Sequence, residues 1–138
     1  MRQAATIGIA VLLGAGTLAA IRYARAPVVL AAGRFHAVAH KGSGFGVLYR
    51  ARSGKPVVKI VCLRTGLRPD LAVYLIGARD AFDNDTVKNS PAVLLGMLKG
   101  TAAEQEFEVP AGVDVSRYHA VTIWSEKYQV NFTTAPLR

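Results

Sequence analysis

Acidic residues are missing from the first half of this chain: no Asp or Glu stands before Asp70. Cysteine is scarcer still, with Cys62 alone. A single thiol excludes an intrachain disulfide, a thiolate zinc site and a CxxC redox pair. After residue 33 no long stretch repeats apolar residues at a period of 3.6, which excludes a helical bundle. Internal repeats and low-complexity tracts are absent. No recognition helix, zinc-finger spacing or RNA-binding signature occurs, which argues against nucleic acid as a partner.

What is there is apolar and basic. The 138 residues are 51% hydrophobic, enough for one cored domain plus an accessory segment. The net charge is +8. From Arg34 onward there are 14 basic and 9 acidic residues, a net of +5. The interval Arg34 to Arg68 holds eight Lys or Arg and no acid. Such a field favours anionic partners, here anionic lipid or an acidic envelope polymer.

Residues Ala4 to Ile21, AATIGIAVLLGAGTLAAI, carry no charge. As a helix they extend about 27 Å at ~1.5 Å per residue, near the minimum for spanning a bilayer. Arg2 precedes the run, and Arg22, Tyr23 and Arg25 follow it as interfacial anchors. Residues 1–25 therefore read as an N-terminal transmembrane helix that serves as a membrane anchor. The alternative is a cleaved signal: Ala24-Arg25-Ala26 has the small-residue spacing, although Pro27 would follow the cut. The orientation signals conflict. Basic residues after the run outnumber those before it and favour a cytoplasmic domain. The amine and Arg2 before an apolar run resemble a secretory start. The expected arrangement is a single-pass protein with its domain on the extracytoplasmic side, periplasmic or at the cell surface, or secreted if the signal is cleaved.

Residues 26–33 form a short connector with room for one strand, and 34–138 read as an all-β domain. Short apolar runs separated by turn residues at roughly ten-residue spacing predict an antiparallel β-sandwich or barrel. The predicted strands are Phe35–Ala39, Phe45–Tyr49, Val57–Leu63, Leu71–Ile76, Gln105–Val109, His119–Trp124 and Gln129–Thr133. Gln105 to Val109 alternates cleanly, with Phe107 and Val109 inward. Leu94 to Lys99 fits either helix or strand, and Ala81 to Pro91 reads as a long polar loop.

Four segments carry a family resemblance: 33-GRFHAVAHKGSGFGVLY-49, 68-RPDLAVYLIG-77, 95-LGMLKG-100 and 105-QEFEVPAGVDVSRYHAVTIWSEKYQVNFTTAPL-137. Together they resemble the DM-thirteen domain, a small extracytoplasmic domain often paired with DOMON or cytochrome b-like domains. The resemblance implies an all-β domain outside the cytoplasm and a proposed part in electron transfer, attributed to a Cys that follows a Trp. Here that pair is Trp124-Ser125. A hydroxyl lacks the disulfide and redox chemistry of a thiolate, so that role does not carry over to Ser125.

The site candidates follow from these residues. Trp124 is placed opposite Val121 and Ile123, on a partly solvated face that offers a binding platform. With Ser125 and His119 it forms the expected binding region, and Ser125 itself is expected to be a structural corner. Cys62, in 57-VVKIVCL-63, is expected to be a small buried hydrophobe, and it is also the one redox candidate. A metal set would draw on His36, His40, His119 and Cys62, and would suit copper, zinc or a haem. On one strand His36 and His40 would stand ~13 Å apart, too far for one ion without a bulge. No cofactor is expected under the leading reading. A hydrolytic Ser125 would need a histidine base oriented by Asp70, Asp80 or Asp114, and no GxSxG elbow surrounds it. The loop 41-KGSGFG-46 matches no phosphate-binding motif and reads as a hairpin. Glycosylation sequons stand at Asn84 and Asn131. The leading reading is a tethered binding or accessory module without its own catalytic centre, working with an unknown protein partner. The alternative is a redox accessory domain using Cys62 or a histidine-bound metal or haem.

Overall fold

The computed structural model of the protein describes residues 26–66, 68–100 and 102–138. Within them lie nine strands and one α-helix: β1 (Val28–Arg34), β2 (His36–Ala37), β3 (Ser43–Arg50), β4 (Pro56–Arg64), β5 (Leu71–Ile76), α1 (Asn84–Asn89), β6 (Ala92–Met97), β7 (Glu104–Glu108), β8 (Ala120–Ser125) and β9 (Val130–Pro136). One sheet has the order β1-β3-β4-β7 and the other β2-β9-β8-β5-β6, and all pairings are antiparallel. This is the expected all-β sandwich. The anchor expected over Ala4 to Ile21 lies outside the described residues. Among those described, no helix is long and apolar enough to cross a membrane.

The core forms where alternate side chains of the two sheets meet. Strand β4 turns Val58 and Ile60 inward and Lys59 outward. Leu48, Phe107, Leu71, Val73, Leu75, Val121, Ile123 and Phe132 join them in one cluster. Fully burying each such side chain contributes about 1.5–3 kcal/mol, which is what selects this register over a one-residue slip. Two glycines are required by the backbone. At Gly33 a Cβ would run into the Pro136 carbonyl, so only glycine lets β1 close over β9. Gly44 has φ +98, and a Cβ there would lie 2.5 Å from the Cys62 carbonyl oxygen.

The outer face of the five-stranded sheet is also covered. The segment Ala81 to Pro91, predicted as a long polar loop, contains α1. Asp83 caps it by accepting from the Thr86 N–H at 2.8 Å. The helix lasts only six residues, too few for a 3.6 period to register in sequence. Val87 and Ala81 pack on Ile76, Ala120 and Trp124 as a second apolar cluster. Polar bonds fix this layer. Asn84 Oδ1 accepts from the Asn131 N–H at 2.8 Å. Asn131 Oδ1 accepts from Thr122 Oγ1 at 2.7 Å, and its amide donates to Thr134 Oγ1 at 2.9 Å. Every residue of β8 is buried as a result.

The structure corrects other predicted bounds. Phe35–Ala39 shrinks to the two-residue β2, because Phe35 turns into the core. Leu94–Lys99 resolves as strand β6, and β1 occupies most of the connector.

Candidate functional site

Cys62 is exposed, not buried. The reason lies in register. Phe45 pairs with Val61 and Ser43 with Arg64, so Cys62 and Leu63 together face the single residue Gly44. Such a bulge breaks the in–out alternation that predicted burial. Cys62 takes the left-handed conformation, φ 53, uncommon for a residue with a side chain. Its N–H is held by the Ala103 carbonyl at 2.7 Å. The thiol lines a cleft of about 410 Å³ with Leu63, Arg64, Leu98, Gly100 and Ala103. Thr65 also lines it, and its buried hydroxyl oxygen has no hydrogen-bond partner among the described residues. A second cleft, of about 620 Å³, shares Arg64 and Thr65 and adds His40, Lys41 and Ser43.

Ser125 and Cys62 lie in different sheets and do not pair. They do occupy the same end of the sandwich. Leu71, which follows the β4–β5 connection, is the register partner of Ser125. A third cleft, lined by Arg68, Pro69, Leu98 and Gly100, adjoins the thiol cleft through the last two residues. The Arg68 guanidinium lies 4.7 Å from the Tyr128 ring centre, and the Tyr128 N–H donates to Ser125 Oγ at 3.2 Å.

The Ser125 hydroxyl is committed to a carboxylate. It donates to Asp70 Oδ2 at 2.6 Å, and the Lys127 N–H donates to the same oxygen at 3.0 Å. The serine hydroxyl first, then the backbone N–H, hold the Asp70 carboxyl below its ordinary 3.8. A carboxylate stabilised in this way is a poor general base, and no histidine stands between the two residues. His36 instead bonds Asp80 through Nε2 at 2.6 Å and stacks on Phe82. His40 packs against the Phe132 ring. Asp114 accepts from the Ser116 N–H and hydroxyl, capping a turn. The arrangement lacks the parts of a hydrolytic triad.

The expected binding set does not assemble either. Trp124 is 5% exposed, covered by the layer around α1 rather than facing solvent. Only its rim borders a shallow pocket of about 240 Å³ with Tyr74, Val87, Lys88 and Gln129. His119 precedes β8 at the opposite end from Ser125, about 20 Å along the strand at ~3.3 Å per residue. His36 and His40 part company where β2 ends after Ala37. Among the described residues no three His, Cys, Asp or Glu side chains gather as metal ligands, so no metal set is assigned. Asn131 is fully buried within its amide network, so in the folded chain it is no surface acceptor for a glycan.

Sequence reasoning overlooked the Thr65 hydroxyl and the Leu98–Gly100 wall, for which local sequence carries no signal. It named Asp70 only as an orienter, whereas the carboxylate is Ser125's direct partner. Residues 34–137 match the family model described as electron transfer DM13. No curated protein and no solved structure matches the chain.

Proposed function

Because the chain belongs to the DM13 family, whose description is electron transfer, we propose that it is a membrane-tethered accessory domain that exchanges electrons through Cys62. It has no catalytic centre of its own and serves a partner on the extracytoplasmic side. The single observation that carries this reading is the exposed Cys62 thiol on its left-handed bulge, lining the 410 Å³ cleft. The family resemblance puts a thiol at position 125. Here the thiol lies on the other sheet but at the same end, across clefts that share Leu98 and Gly100.

The chemistry is thiol–disulfide exchange with a partner protein. The Cys62 thiolate attacks one sulfur of a partner disulfide. The S–S bond breaks, a mixed disulfide forms, and the other partner sulfur leaves as a thiolate. One thiolate of an external dithiol donor then attacks the Cys62 sulfur of that mixed disulfide, and the second partner sulfur leaves as a thiolate. The donor's other thiolate attacks its own sulfur in the new mixed disulfide, which closes the donor disulfide and releases Cys62 as a thiolate. Two electrons thus pass from donor dithiol to partner disulfide, with Cys62 as relay. Arg64 supplies positive charge in the cleft wall, which favours thiolate forms of approaching and leaving sulfurs.

The test is reaction of the full folded chain with an aromatic disulfide reagent, which is expected to modify one thiol per chain. Cys62→Ser gives the blank. A thiol that reacts only after unfolding overturns the relay. A visible absorption band with stoichiometric metal or haem would replace it with the histidine-based alternative. An exported-phosphatase reporter fused after Arg138 checks the compartment, and activity there is the expected result.

A further inference from the structure

We infer that the end of the sandwich at which the chain enters it rests on the surface of an anionic lipid bilayer. The contact is made by the start of β1, Val28 to Leu30, together with the β3–β4 turn from Arg50 to Lys55. The inference rests on reading Ala4 to Ile21 as a membrane anchor.

Three observations meet at this end. The first is apolar exposure. Strand alternation should hide one of every two side chains, yet Val28, Val29 and Leu30 are 54%, 66% and 39% exposed. Strand β1 lies at the edge of its sheet, and Arg138 pairs with its outer side only at Ala32. Among the described residues the strand's first three thus present an exposed apolar edge, with Val28 and Val29 paired to Arg50 and Tyr49 on their inner side. Soluble proteins avoid leaving such an edge open.

The second observation is charge. Val28 is the register partner of Arg50, which in turn pairs with Pro56. The apolar edge therefore sits beside the turn 50-RARSGK-55. Arg50 donates to the Gly54 carbonyl at 3.0 Å, which fixes the turn while the guanidinium stays exposed. Arg52 and Lys55 are exposed on the same turn. Lys55 approaches Glu108 at 3.9 Å, and both side chains are mostly in solvent. A basic rim around an apolar edge matches anionic headgroups above acyl chains.

The third observation is reach. Six residues, Arg22 to Pro27, separate the uncharged run from β1. Fully extended they span about 20 Å. This short tether keeps the entry end close to the headgroups. Strand β4 then runs from Pro56 away from the bilayer, so Cys62 stands about 20 Å further out at ~3.3 Å per residue. The thiol faces the aqueous side, where a partner approaches.

The test uses the full chain with Cys62→Ser, carrying one fluorophore on Val29→Cys or, at the far end, on Ser43→Cys. The chain is reconstituted into phosphatidylcholine vesicles with or without phosphatidylglycerol, doped with a headgroup-attached nitroxide quencher. The label at 29 is expected to quench far more than the label at 43 in anionic vesicles. Raising the ionic strength to about 1 M, where the Debye length is ~3 Å, should shrink the difference to what the tether alone leaves. Arg50→Glu with Lys55→Glu should lower the docked-to-free ratio roughly fivefold or more per reversed charge. Equal quenching at both positions, or indifference to phosphatidylglycerol and salt in the unsubstituted turn, overturns the docking. Alkaline carbonate washing examines the anchor separately. A chain that washes off yet still quenches at 29 keeps the docking and loses the anchor. A chain that resists washing without quenching at 29 loses the docking and keeps the anchor.

Discussion

The Ser125 hydroxyl and the Asp70 carboxylate, 55 residues apart in the chain, are joined by a 2.6 Å hydrogen bond. The bond ties the end of β8 to the connection entering β5, and the Lys127 and Tyr128 N–H groups close the corner around it.

This pair makes stability depend on acid. The folded Asp70 carboxyl lies below 3.8, its ordinary value, with the Ser125 bond as the largest cause. A depressed carboxyl stabilises the fold above its unfolded pKa, and that contribution is lost as pH falls through the folded value. Ser125→Ala should raise the Asp70 pKa toward ordinary and destabilise the domain at neutral pH. The gap from the parent chain should narrow in acid. Urea melts across pH and a carboxyl NMR titration measure both. A gap that stays constant from neutral to acid pH contradicts the assignment.

Tyr74 provides a second titration of opposite sense. Burial first, then the Glu126 carboxylate that it donates to at 2.5 Å, push its phenol up to about 12. Stability from this bond is complete below 10.0 and is lost as pH rises through about 12. Glu126→Gln should lower the Tyr74 value while leaving it above 10.0, since burial remains. An ultraviolet tyrosinate titration, with Tyr74→Phe to identify the signal, reads the change.

Trp124 tests the covering layer. Buried against Val87 and Ala81, it should cost about 3–5 kcal/mol when cut to Ala, measured by denaturant melts. A loss under about 1 kcal/mol would mean that the α1 layer does not seal it.

Cys62 tests the bulge. A β-branched side chain is strained at positive φ, whereas glycine is not. Cys62→Val should be about 1–3 kcal/mol less stable than Cys62→Gly. Equal stability of the two would place position 62 outside the left-handed region.

The strands were legible where one rule decided them. Leu71–Ile76 and the inward Phe107 follow from apolar runs and alternation, which depend on near neighbours alone. The site was less legible because partners distant in sequence set its geometry. Cys62 turns outward owing to Gly44 on the facing strand, and glycine in a turn-rich stretch does not announce its register. Trp124 is hidden by a helix too short to show a period. The Ser125–Asp70 bond needs β5 and β8 to be neighbours, and no local pattern specifies that. The histidines were the opposite case: their spacing predicted separation, and the structure gives each a different partner.

The neighbourhood of β5 and β8 also bears on how fast this domain forms. Leu71 through Ile76 must find Ser125 through Ala120, a loop closure across about fifty positions, and all-β topologies rich in such pairings fold in milliseconds to seconds rather than microseconds. Until β8 arrives, the flank of β5 opposite β6 stays open to the wrong strands. During biosynthesis the domain therefore passes through an aggregation-prone interval that a chaperone would shorten.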